Sequence, residues 1–198
     1  MTYDLLTALA AFAFVSSITP GPNNLMLMAS GANYGVWLTL PHMLGVALGF
    51  VFMVILVGVG LIQIFDLFPV TYTVLKVVSV GYLLYLAWKI ATAAAPDAAE
   101  PTGTPMTFLQ AAAFQWVNPK AWTMALTAIS VYTVPSAGIW GIFLVGVVFG
   151  AINLPSVGLW AWMGQQLRKV LEGPRRLRAF NITMAVLLVA SLYPILWP

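Results

Sequence analysis

Charge is too scarce in this chain to coat a surface that meets water. Only 7% of the 198 residues are Asp, Glu, Lys or Arg, and 62% are apolar. Soluble domains carry about 25% charged residues, and a globule of this size cannot hide so many apolar side chains. The apolar residues also gather in long runs. A helical membrane span takes about 20 of them, and six such runs fit the chain: about Leu5 to Ser30, Pro41 to Ile64, Pro69 to Ala91, Met106 to Ile129, Ser136 to Met163 and Ala179 to Leu196. The expected fold is an all-α integral membrane protein with six transmembrane helices. The same arithmetic argues against a soluble enzyme and against a disordered chain.

Other classes fall away by composition. Cysteine is absent, which removes disulfides, thiolate metal sites and thiol redox chemistry. One histidine and five acids do not make a metal site, and no cofactor is expected. There is no nucleic-acid-binding arm. No Lys or Arg precedes the first run, so the basic region of a cleaved leader is missing and that run is read as mature protein. Neither a triad nor a pair of intramembrane carboxylates is present, so the chain is not read as an enzyme.

Orientation follows from the cations. Lys89, Arg168, Lys169, Arg175, Arg176 and Arg178 fall after the third and fifth runs, and the N-terminus, the other outer connections and the C-terminus carry none. Lys/Arg-rich loops stay in the cytoplasm. Connections 1–2, 3–4 and 5–6 are therefore expected inside and both termini outside. A basic loop also suits anionic lipid heads.

The chain reads as two halves. Residues 1–92 and 106–198 each hold three spans, separated by an Ala/Pro/Thr-rich linker, 93–105, with Asp97 and Glu100. The first span of each half is interrupted, by Thr19-Pro20-Gly21-Pro22 in one and Asn118-Pro119 in the other. Asn23 and Asn24 adjoin the first break. The second spans share a pattern, Gly45-Val46-Ala47-Leu48-Gly49 against Gly146-Val147-Val148-Phe149-Gly150, 101 positions apart. An odd number of spans per half forces the second half to be inverted. Interrupted spans at matching places in two inverted halves point to a transporter's central site. Proline removes a helical N–H, and groups freed at membrane depth persist only against protein or a water-filled cavity. An ordinary proline kink is the plain alternative.

Several side chains could carry function. Lys120 lies deep in the fourth run, where a charge is costly and faces the bundle interior. Its ammonium suits a substrate carboxylate or a proton-coupled step; the alternative is snorkelling to the outer interface. Snorkelling is easier for Lys76, and Asp66 in the outer connection is read as solvated. Asn23 and Asn118 are read as pathway residues, Gln115 as glue between helices, and Asn153 as either. His42, at the start of the second span, is read as interfacial or as a proton relay. The Gly45/Gly49, Gly146/Gly150 and Gly31/Gly35 pairs suit close helix contact, between the halves rather than between copies of the chain, although a homo-oligomer remains open. Trp37, Trp88, Trp140 and Trp197 are interface candidates.

The segment Ser17-Ile18-Thr19-Pro20-Gly21-Pro22-Asn23-Asn24 resembles the signature of the LysE/RhtB family of amino-acid exporters. Gly81-Tyr82-Leu83-Leu84-Tyr85-Leu86-Ala87-Trp88 is similar to that family's third-span ending, and Asn118-Pro119-Lys120-Ala121 to its fourth-span motif. The resemblance covers essentially the whole chain. It implies efflux of amino acids or related metabolites across the bacterial cytoplasmic membrane, driven by proton exchange. It places the pathway at Pro20, Gly21, Pro22, Asn23, Asn24, Asn118, Pro119 and Lys120, with Lys120 or His42 as proton carrier. No Asp or Glu lies deep in a span to pair with a cationic side chain, so a neutral, even hydrophobic, amino acid is expected over lysine or arginine. A non-transporting membrane scaffold or subunit is the competing reading, and a lipid-acting enzyme a more distant one.

Overall fold

The computed structural model describes residues 1–61, 67–68, 70–93, 104–168, 170–171 and 173–196. Asp66, Lys169, Trp197 and the linker residues Asp97 and Glu100 lie outside them. Every regular element among the described residues is helical. The order is α1 (Tyr3–Ile18), α2 (Pro22–Tyr34), α3 (Val36–Leu56), α4 (Val70–Ala91), α5 (Phe108–Phe114), α6 (Pro119–Tyr132), α7 (Gly138–Arg168), α8 (Pro174–Ala190) and the short α9 (Tyr193–Leu196).

Local chemistry sets the boundaries. Thr2 caps α1 by accepting the Leu5 N–H, and Thr107 and Gln110 form a reciprocal capping box at α5. Proline opens α2, α6 and α8 at the first turn, where its missing N–H is no loss. Gly35 both ends α2 and begins α3. Its φ of 82° lies in the left-handed region, which glycine enters without strain. Sequence reasoning starts the second span at Pro41, but the helix starts at Val36 and Pro41 lies inside it. The glycine supplies the break there, not the proline.

Among the described residues, three helices are long and apolar enough to cross a membrane: Val36–Gly60, Val70–Ala91 and Gly138–Arg168. The pair α1 and α2, bent by 55°, makes a fourth. The fourth expected run is divided into α5, a 3-10 turn at Gln115–Val117, and α6. The sixth run is carried by α8, of 17 residues, and α9.

α7 is the central element, packed on α1, α2 and α3, while α3 also packs on α5 and α4 pairs with α8. One apolar cluster joins Leu9, Phe50, Met53, Ala125 and Phe149; a second joins Leu25, Met26, Leu83, Phe114 and Leu188. Lipid tails are as apolar as leucine, so close packing must supply the cohesion. A Cβ on Gly31 would overlap the Ala161 carbonyl, and one on Gly164 would overlap the Met28 carbonyl. The α2 and α7 backbones therefore touch. Gly45 and Gly49 lie against Phe108, Ala111 and Ala112 of α5, and Gly146 and Gly150 against Val51 of α3. All four glycines face the other half of the chain. Lys76 is exposed on α4, and Trp37, Trp88 and Trp140 are exposed near helix ends.

These contacts separate two glycines. Gly31→Ala must push α2 off α7 and is expected to cost at least about 1–3 kcal/mol. Gly81, with nothing within 4 Å of its would-be Cβ, should accept alanine with a gain of up to about 1 kcal/mol. Thermal melting of the purified variants in detergent checks both signs.

Candidate functional site

A helix that stops at membrane depth leaves carbonyls that lipid cannot satisfy. The last carbonyls of α1 are met one by one. The Thr19 N–H donates to Val15 O at 3.2 Å and its hydroxyl to Ser16 O at 3.1 Å. Asn24 Nδ2 donates to Ser17 O and to Thr19 O, both at 2.8 Å. The Trp160 indole N–H donates to Ile18 O at 3.0 Å. Lys120 Nζ donates to Thr19 O at 2.7 Å, Thr19 Oγ1 at 3.0 Å and Pro20 O at 3.3 Å. These donors come from α2, α6 and α7. A helix C-terminus is the negative pole of its dipole, so the ammonium is favoured there twice over.

The two breaks are built alike. At α2, Gly21 is the cap and Pro22 the first residue; at α6, Asn118 is the cap and Pro119 the first residue. Asn118 Oδ1 accepts the Lys120 N–H at 3.2 Å. Across the gap Asn23 and Gln115 exchange two hydrogen bonds, at 2.9 and 3.2 Å. Gln115 spends its second N–H on Ala111 O at 2.9 Å. Gly21 has extended backbone, with φ −179°, so conformation does not demand glycine there. A Cβ there would come within 2.7 Å of Lys120 Cδ, so a larger residue would have to displace that flexible stem.

Between the breaks lies a narrow polar cleft of about 20 Å³, bordered by Ser17, Asn23, Asn24, Gln115, Lys120 and Asn153. That volume holds about one water molecule. Asn153 Nδ2 donates to Ser17 Oγ at 3.0 Å, while its Oδ1 is buried without a partner. A wider space of about 490 Å³ adjoins at Gly21 and Lys120, reaching Pro20, Pro22, Pro119, Thr123 and Ser191. Among the described residues, none that lines either space is acidic.

All eight pathway candidates thus border one junction. His42 does not. It is 1% exposed, so it is not an interfacial side chain, and it lines a separate cavity with Lys89. Lys120 and His42 therefore do not share a cavity. Sequence reasoning quoted Ser17 in the first-span motif without giving it a role, overlooked Trp160 and left Asn153 undecided. An asparagine deep in an apolar run was a usable signal; a tryptophan among eight was not.

Two interrupted helical segments thus meet at a narrow polar cleft with a wider space beside it. Residues 14–191 match the family described as LysE type translocator. The chain belongs to that family and is an integral membrane protein of the translocator class. It is 28% identical over 190 residues to a cysteine/O-acetylserine efflux protein of Escherichia coli O157:H7, covering 96% of each chain. It is 29% identical over 191 residues to the protein of the same description in Salmonella typhimurium strain LT2, again covering 96% of each. No solved structure matches the chain significantly.

The Asn23–Gln115 bridge joins the two halves and is measurable on its own. A double-mutant cycle with Asn23→Ala and Gln115→Ala should give a favourable coupling of about 0.6–1.7 kcal/mol, the range of hydrogen bonds between membrane helices. Unfolding of the four proteins in mixed micelles checks it; additive effects would show that the bridge contributes nothing.

Proposed function

We propose that this chain exports neutral amino acids, or metabolites close to them, from the bacterial cytoplasm, and that the junction of the broken spans is the transport site. The observation that carries the reading is Lys120 Nζ lying on the carbonyls of Thr19 and Pro20, so that an element of one half closes the break of the other. An amino acid carries an ammonium like that of Lys120 and a carboxylate that can accept from it. Its ammonium can replace Lys120 on the α1 carbonyls, and its carboxylate can take the released Lys120 ammonium. The first-turn amides of α2 add a positive helix end on the carboxylate side. Asn153 Oδ1 offers a further acceptor.

This exchange couples binding to movement. The cleft is too narrow for an amino acid while Lys120 bridges it. Substrate favours the arrangement in which the bridge is undone, and only such differential affinity shifts a conformational equilibrium. The architecture is six spans in two inverted repeats, 1–92 and 106–198, which interlock: α3 of the first half packs on α5 and α7 of the second, and α7 on α1 and α2 of the first. Proton exchange acts at Lys120, because His42 faces a different cavity. Neutral solutes are preferred because no carboxylate among the described residues lines the cleft, and a cationic side chain would add a second positive charge beside Lys120 at low dielectric. The relatives' description names cysteine and O-acetylserine as their solutes, which suits small, uncharged side chains.

Two experiments follow. In a bacterial host fed dipeptides, the wild type should release a neutral amino acid or O-acetylserine several-fold faster than an empty vector. Lys120→Ala should fall to the vector level while remaining in the membrane at wild-type amount. Release of lysine or arginine in its place would defeat the charge argument. The second uses the natural absence of cysteine. Single cysteines at Thr2 and Ser136 should react with an impermeant thiol reagent applied to intact spheroplasts, and one at Thr104 only after lysis; the reverse pattern would invert the orientation.

A further inference from the structure

The transport site leaves one buried, titratable side chain unused. His42 is fully enclosed in α3, and neither ring nitrogen has a hydrogen-bond partner. A neutral imidazole always has one donor and one acceptor to offer, and buried polar groups are normally paired. The ring lines a cavity of about 60 Å³ between α2, α3, the end of α4 and residues 104–106. Its other polar wall groups are Ser30, Asn33, Tyr34, Lys89 and Thr104. Two of these are already committed: Ser30 to the Thr39 hydroxyl at 2.8 Å, and Asn33 to the Asn181 amide at 2.8 and 3.1 Å. Tyr34, Lys89 and Thr104 remain beside His42, which is the fully buried one and has no partner on either ring nitrogen.

We propose that this cavity is a second solute site, on the side of the basic connections, that holds the headgroup of an amino acid before it reaches the helix breaks. The proposal rests on the export reading above. Lys89 supplies a cation for the carboxylate, and no acid lies among the described lining residues. Both His42 ring nitrogens are covered in this structure, so a turn of the ring toward the cavity is needed before one of them accepts from the ammonium. Met26, Leu86, Ile90 and Met106 enclose the rest. The space corresponds to roughly five water-sized groups, about the number of heavy atoms in an amino-acid headgroup. α2 links the two sites. Asn23 and Asn24 face the junction from its first turn, and Ser30, Asn33 and Tyr34 face this cavity from its last turns. Ten residues of helix separate the sites by about 15 Å. A solute released here would meet the junction at the other end of the same helix.

The test is ligand protection of a cysteine at the rim. Ala93→Cys, in an otherwise cysteine-free chain, is labelled in inside-out vesicles with a negatively charged thiol reagent, with O-acetyl-L-serine or L-leucine as competitor. Expected is slower labelling with at least one of them. Protection should persist in Lys120→Ala, which disables only the junction. It should need at least tenfold more competitor in His42→Leu and in Lys89→Gln. His42→Gln, which keeps a donor and an acceptor, should recover most of it, and that recovery separates ligand contact from packing. Elution as a single sharp peak confirms that each variant is folded. No protection by either competitor, or full protection in both His42→Leu and Lys89→Gln, overturns the proposal. Protection that disappears in Lys120→Ala also overturns it. Protection without any export would support this site and refute the export reading, whereas export without protection would refute this site alone.

Discussion

The carbonyl end of α1 is the constraint around which the rest is arranged. A break inside a membrane is affordable only if each freed group is met by protein. Here the donors are Asn24 across the break, Trp160 from α7 and Lys120 from α6. Ser17 O, Ile18 O and Pro20 O each take one of these donors and Thr19 O takes two, so three helices meet at one stretch of backbone. The break thus fixes the centre of the bundle. It also makes fold and site a single object, because the groups that satisfy the backbone are the groups that border the cleft.

Close packing is what lets those short side chains reach. Asn153 touches Ser17 and Trp160 touches Ile18 because α7 lies directly against the broken span. That approach depends on Gly31 and Gly164, where a methyl group would strike a backbone carbonyl of the other helix. Between apolar helices in lipid there is no hydrophobic force to substitute for this contact. Gly21 likewise leaves its side-chain space to the methylene stem of Lys120. The small residues are therefore part of the site even though they offer no polar group.

How far the sequence reveals this depends on whether a signal is local. Pro20, Pro22 and Pro119 disrupt a helix by their own covalent structure, so both breaks were readable, and so was the likeness between them. Lys120 stood out because a charge deep in an apolar run needs a reason. The choice of partner was not readable. A substrate carboxylate seemed the natural companion for Lys120, yet its ammonium rests on carbonyls 100 and 101 positions earlier in the chain. His42 misled for a related reason. Pro41 looked like a helix start, which would have put the histidine at the interface, whereas the positive φ of Gly35 starts the helix earlier and carries His42 into the interior. Trp160 gave no warning because tryptophan is at home anywhere in such a chain, and Ser17 stood in the first-span motif without a role of its own; only the fold brings them together at the break.

The arrangement at the junction bears on how an exporter avoids leaking. A polar cleft between two halves is a path for water and ions whenever it stands empty. If the junction is the transport site, as proposed, the Lys120 ammonium makes there the contacts a substrate ammonium would make, and the chain supplies its own substitute ligand. On that proposal, solutes that lack an ammonium do not replace it. On the export reading, one lysine closes the path, selects by charge and reports arrival, each through its hold on the same two carbonyls of Thr19 and Pro20.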